Sequence, residues 1–204
     1  MRNSLLYIVI TLIITSCGHK QEVNYYKNGN IKTILNYKNN KLDGECKYFY
    51  QNKQPQSIFR YVNGKLEGTS IRYNYDGSIE STAEYKSGKL NGPYKSYYKS
   101  NSIKEIKYYK NDSLNGIYQM YYESGILKIE GKYYNNLFDS IWNYYNRFGQ
   151  TVGTAHFIKG NGNLISYYPN GNIKRTTPYI NNEINGKIKY FNKNGKIFKV
   201  EERP

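Results

Sequence analysis

Side chains able to make and break bonds are few in this sequence, and their spacing suits no reaction. The two histidines, His19 and His156, stand in separate segments. No imidazole cluster can therefore hold a metal, and no nucleophile has a histidine base at a motif spacing. The carboxylates Glu67, Glu80, Glu84 and Glu105 are scattered, with nothing to set one apart as acid and another as base. No GxxxxGK[ST] or GxGxxG motif occurs between a strand and a helix. The expectation is a protein that is not an enzyme and that uses no cofactor or metal.

Cys17 is the exception. It follows a short basic start at Arg2 and an apolar run from Leu5 to Ile14. That run is too short to span a bilayer, which takes about 20 residues, but it has the length of a secretion signal core. The residues Ile14-Thr15-Ser16-Cys17 resemble the lipobox of bacterial lipoproteins, although leucine is commoner where Ile14 stands. The resemblance implies cleavage before Cys17, a diacylglyceryl thioether and an amide-linked acyl chain such as palmitate, two lipid signals being what stable anchoring needs. Residues 1–16 are then a signal peptide and 17–24 the lipidated cysteine with a short tether. Gly18 stands where an inner-membrane lipoprotein would carry Asp, which favours the outer membrane and leaves open which face is occupied. With Cys17 lipidated, Cys46 has no cysteine partner and is expected to be a small strand side chain.

The remaining composition describes a surface. Net charge is +15, of which the signal segment supplies only Arg2, and 26 tyrosines dominate the aromatic residues. Such a basic field favours anionic partners, lipid head groups and acidic glycans among them. Interleaved Lys and Tyr also suit single-stranded nucleic acid, but an exported chain would rarely meet it, and nucleic acid is not expected.

The elements that would position these side chains repeat. Tyr25, Phe49, Tyr73, Tyr97, Tyr121, Tyr145, Tyr167 and Phe191 recur at a period of 24 with a single step of 22. Each opens a polar turn, as in YYKNGNI or YYPNGNI. A second series, Tyr37, Tyr61, Tyr85, Tyr109, Tyr133, Phe157 and Tyr179, opens turns such as YKNNKLDG and YVNGKLEG. Asn-Gly, Asp-Gly and Ser-Gly tolerate the positive φ of hairpin turns. The six or seven residues between turns are strand length. The body, residues 25–204, is therefore predicted to be all-β: about seven stacked 24-residue β-hairpins in one elongated antiparallel layer that strand twist should curl.

This rhythm resembles the MORN-repeat variant family, whose copies read aromatic-x-x-Asn-Gly, a strand, then Tyr-x-Asn-Gly-Lys-Leu-x-Gly. The resemblance covers about residues 25 to 200. It implies binding or scaffolding; bacterial members are often described as antitoxin or immunity-like components, and eukaryotic relatives as membrane-associated scaffolds.

Three roles follow as expectations: an envelope module that binds an unidentified protein partner, immunity-like if protective; a binder of anionic lipid or glycan; or a passive spacer. Lys32, Lys104, Lys128 and Lys174, each three residues past a turn position, are the candidate binding face. Asp112-Ser113-Leu114 and Asp139-Ser140-Ile141 resemble a short O-glycosylation sequon of exported proteins, which makes Ser113 and Ser140 candidate acceptors. Lastly, the step from Phe157 to Gly162 is five residues where the others are seven. A loss of two preserves side-chain parity. A tighter turn through 158–161, with a dip in that rim, is expected.

Overall fold

The computed structural model describes residues 14–16 and 18–203. All the regular structure there is antiparallel β, without a helix. The chain divides into two compact units, residues 1–90 and 91–204.

Both units are built from the same two turns. The second turn of each repeat is a two-residue hairpin with positive φ at both positions: Asn39-Asn40 (50°, 60°), Asn63-Gly64 (50°, 81°), Asn135-Asn136 (48°, 67°) and Asn181-Asn182 (51°, 71°) are examples. This is the turn whose twist matches that of the flanking strands. The first turn places one residue in the left-handed region. That residue is glycine in most copies, with Lys53 (73°) and Asn101 (63°) substituting. Beside every first turn the register shifts by one residue, as between Asn24 and Tyr25 or between Ser166 and Tyr167. The shift leaves one bulged residue on the outgoing strand.

The first unit carries a thin core face. Val23, Thr33, Cys46, Ser57, Ser70, Ser81 and Ala83 are buried there, and Cys46 is fully enclosed. Tyr48 and Phe59 meet edge to face at 5.8 Å between centroids. The second unit is aromatic instead. Trp142 stacks on Tyr118 (5.4 Å) and meets Phe138 (4.8 Å); Phe138 contacts Phe157 (5.1 Å), and Phe157 contacts Tyr179 (5.5 Å). Such pairs add to the burial of their own apolar area. Gly131 leaves the room that Trp142 occupies, since a Cβ there would lie 2.1 Å from the indole ring.

Two expectations are corrected. Residues 19–24, read as tether, are strand: His19–Tyr25 pairs with Ile31–Lys38 from His19↔Lys38 to Tyr25↔Ile31. The repeat domain therefore starts at 19, not 25. Its cross-strand contacts are mostly polar, Gln21 to Asn36 and Asn24 to Thr33 at 3.0 Å each, with Val23 its buried apolar residue. That polarity is why the segment reads as linker. The expected signal peptide lies mostly outside the described residues, as does Cys17. Ile14–Ser16 form a short strand paired with residues 19–21.

The second correction concerns the period break. The turn at Lys159-Gly160 is the same two-residue turn as elsewhere, with Ile158↔Asn161 closing it. What it lacks is a bulge. In the other second-turn hairpins described, the return strand carries two extra residues. The pairing Tyr109↔Leu114, for instance, is followed by Lys107↔Tyr118. From Ile158↔Asn161 to Gly153↔Ser166 the register never slips. The two missing residues belong to the sheet, not to the loop. Parity survives, as expected, and Leu164 packs on the core as its counterparts do.

Candidate interaction surface

The side-chain chemistry of the repeat gathers beside the first turn. The bulge aims its residue back over the turn, and in four copies that residue is lysine. Lys32 lies 5.8 Å from the ring centre of Tyr26, Lys104 5.9 Å from Tyr98, Lys128 5.5 Å from Tyr122 and Lys174 5.8 Å from Tyr168. Each is a cation over an aromatic face. None of the four forms an ion pair among the described residues. The candidate lysines thus share one environment, repeat after repeat.

The rings beneath them are fixed in turn. Tyr26, Tyr50, Tyr98, Tyr122 and Tyr168 each donate their hydroxyl to a backbone carbonyl 23 residues on, at 2.6 to 2.9 Å. The acceptors are Phe49, Tyr73, Tyr121, Tyr145 and Phe191, members of the first aromatic series. Where the second residue of the pair is Asn, at Asn74, Asn146 and Asn192, no lysine follows: the bulge holds Glu80, Val152 or Phe198. This second tyrosine was missed in the sequence, although the Tyr-Tyr doublets displayed it.

The other rim stacks through backbone and capping groups. The acid or amide just before the closing glycine accepts the first amide of the next turn, as Asp43 does from Asn63 (2.9 Å) and Glu67 from Ser87 (2.7 Å). Ser140, in the place of that glycine, takes a φ of 62° and is exposed, its hydroxyl on Asp139. Ser113 follows the turn Asn111-Asp112 and is half-buried. The structure thus places one candidate glycan acceptor in the open and the other partly covered.

On the core face of the second unit, Glu105 and Lys107 pair at 3.2 Å, and Lys107 lies 4.7 Å from the Tyr94 ring centre. Burial works against the charge on Lys107, but Glu105 outweighs it and raises the ammonium above the usual lysine range. Burial, with Glu105 beside it, likewise pushes the Tyr118 hydroxyl up. Both are structural polar groups held in one charge state.

The opposite face differs sharply between the units. In the second, Ile117, Ile141 and Ile158 are 54%, 61% and 63% exposed, with Tyr108, Tyr134 and Ile180 also in the open. In the first, the equivalent positions hold Glu45, Thr69, Arg60, Glu84, Lys38 and Lys86, with only Val62 apolar. Lys110, Lys132 and Lys159 alternate with the apolar set on the same strands and turn. Among the described residues no group of three or more His, Cys, Asp or Glu side chains is placed to hold a metal, and no helix is long and apolar enough to cross a membrane.

Stacked hairpins with two alternating turns define a β-hairpin repeat protein. The family model of the MORN repeat variant matches at residues 19–39, 42–63, 90–111, 114–136 and 161–181, more than half of the sequence. The chain belongs to that family, whose repeats are generally protein- or membrane-interaction modules. No curated protein matches the sequence. Among solved structures, the GtfA/B complex bound to UDP and GlcNAc is similar over 64% of this chain and 25% of its own, at 8% identity and a TM-score of 0.24. The Photorhabdus luminescens Tc holotoxin pore is similar over 91% of this chain and 14% of its own, at 10% identity and a TM-score of 0.23. Both likenesses are too weak to bear on function.

Proposed function

We propose that this protein is an envelope lipoprotein, anchored through Cys17, whose repeats bind a protein partner. The observation that carries the reading is the exposed apolar set of the second unit. Isolated exposed aliphatics are ordinary, but several on one face of one unit, at positions that are mostly charged or polar in the other, support an interaction site. Lysines beside it favour a partner that presents apolar residues flanked by acids. If the role is protective, export restricts it to immunity against a toxin that arrives in the envelope. The double variant Ile117→Lys/Ile141→Lys tests the reading. Wild type should co-purify from its own envelope with a discrete partner that the variant loses. Equal recovery from both, or none from wild type, would contradict the protein-partner reading.

A second reading, binding of anionic lipid or glycan, is supported by the four lysines free of ion pairs. Replacing Lys104 and Lys128 by Gln should abolish salt-sensitive binding to anionic vesicles.

A further inference from the structure

The core-face position just past the first-turn bulge holds small or apolar residues in most repeats: Thr33, Ser57, Ser81, Ile129 and Gly153. Three copies place a charge there: Glu105, Arg175 and Lys199, the last of which is answered by Glu201. Glu105 is answered by Lys107 at 3.2 Å. Arg175 is answered by nothing: it makes no ion pair among the described residues, and its Nε is shut off from solvent without a hydrogen-bond partner. Thr177, two residues on and 1% exposed, has an equally unpartnered hydroxyl. A buried donor left unmade is costly, although the Arg175 side chain as a whole is only half-buried.

The carboxylate one would expect to serve Arg175 is engaged elsewhere. Tyr190 is the cross-strand partner of Arg175, and Lys199 that of Tyr190. Glu201, on the same strand as Lys199, receives both the Lys199 ammonium and the Tyr190 hydroxyl (3.0 Å). Beside Arg175 lies a recess of about 250 Å3 lined by Ser166, Lys174, Arg175 and Tyr190. Its lining includes two basic residues and two that carry hydroxyls, and no carboxylate. A guanidinium is the side chain best shaped to grip a carboxylate or phosphate through two parallel hydrogen bonds.

We propose that this recess is an oxyanion-binding site, with Arg175 as its anchor and Lys174 and Ser166 as supporting groups. The bound group is a phosphate or a carboxylate, carried by a lipid head group, an acidic sugar or the free ion. The site refines the anionic-ligand reading in one repeat and shares only Lys174 with it. Failure of the Lys104→Gln/Lys128→Gln test would therefore leave this site standing.

Thermal melting of the full chain, at constant ionic strength with chloride as control, is the test. Inorganic phosphate and glucuronate are titrated separately in detergent, and the chain reconstituted without detergent into phosphatidylglycerol vesicles is compared with the chain in phosphatidylcholine vesicles. Wild type should show a saturable rise in Tm with at least one free anion, which also tells phosphate from carboxylate. If only phosphatidylglycerol gives a rise that Arg175→Gln abolishes, the source is the lipid head group. Arg175→Gln should lose binding roughly tenfold or more, the factor one charged hydrogen bond is worth. Without anion it should melt no lower than wild type, because it removes a shielded donor that lacks a partner. Lys174→Gln should weaken binding less and serves as the second variant should Arg175→Gln fail to fold. No saturable rise with any probe, or an equal rise in wild type and both variants, overturns the proposal.

Discussion

Asn182 holds the backbone amide of Phe138 across an intervening hairpin: its Oδ1 accepts from Phe138 N at 2.8 Å, while its Nδ2 donates to the carbonyl of Asn136 at 2.8 Å. Elsewhere on this rim the adjacent turn does that work, as Asn136 accepts from Leu114 N at 2.7 Å. The adjacent turn here offers Gly160, which has no side chain, in the hairpin that lacks the bulge. Asn182 bridges the gap. Asn182→Gly keeps the turn's positive φ but loses both bonds, and should cost about 1 to 3 kcal/mol in denaturant melts. Asn40→Gly, at an equivalent turn position whose side chain makes no hydrogen bond among the described residues, is the control and should be nearly neutral. Equal costs at the two sites would sink the bridge.

Gly131 has ordinary backbone angles and is needed for space alone. Gly131→Ala should cost roughly 1 to 3 kcal/mol or more by overpacking against Trp142. The same change should cost much less in a Trp142→Leu background. A double-mutant cycle without coupling would show that the indole does not fill that space.

The second tyrosine of each doublet should contribute in two separable ways. Tyr122→Phe removes the hydroxyl that reaches the Tyr145 carbonyl at 2.9 Å, at about 0.5 to 1.5 kcal/mol. Tyr122→Leu also removes the ring under Lys128, and should cost more by roughly 0.5 to 1 kcal/mol. Melts that do not distinguish the two variants would show that the lysine gains nothing from the ring.

Burial raises Tyr133, Tyr144 and Tyr61 from 10.0 to about 12, with neighbouring carboxylate, thiol or phenol charges adding to the effect. Their folded values exceed the unfolded one, so the stability they contribute is intact below about pH 10. It is lost as pH rises from 10 towards 12. Ultraviolet titration should show a late class of tyrosines ionising together with loss of sheet circular dichroism. If all tyrosines ionise near 10 with the sheet intact, the burial of these rings is wrong.

The rhythm was legible because hairpin turns demand positive φ, and few residues tolerate it. Parity was legible too: Tyr37 to Tyr179 do face the core. The seven residues from Tyr37 to Gly44 read as one loop, however, because Asn39-Asn40 and Asp43-Gly44 are both turn-like pairs. Only pairing shows that the first is the turn and the second a bulge. The bridge of Asn182 could not be read either, since it joins residues 44 positions apart. The lysines were found by recurrence, but nothing local to Lys104 announces that Tyr98 lies under it. Arg175 is invisible as a site until its lack of a partner can be seen.

The central claim is that the open face of the second unit meets a protein partner and the matching face of the first does not. A photo-reactive amino acid placed in the living cell at Ile141, or at Thr69 in the equivalent polar position, reads this directly. The account predicts a discrete crosslinked partner from position 141 and none from position 69. No adduct from 141, or the same adduct from both positions, would contradict it.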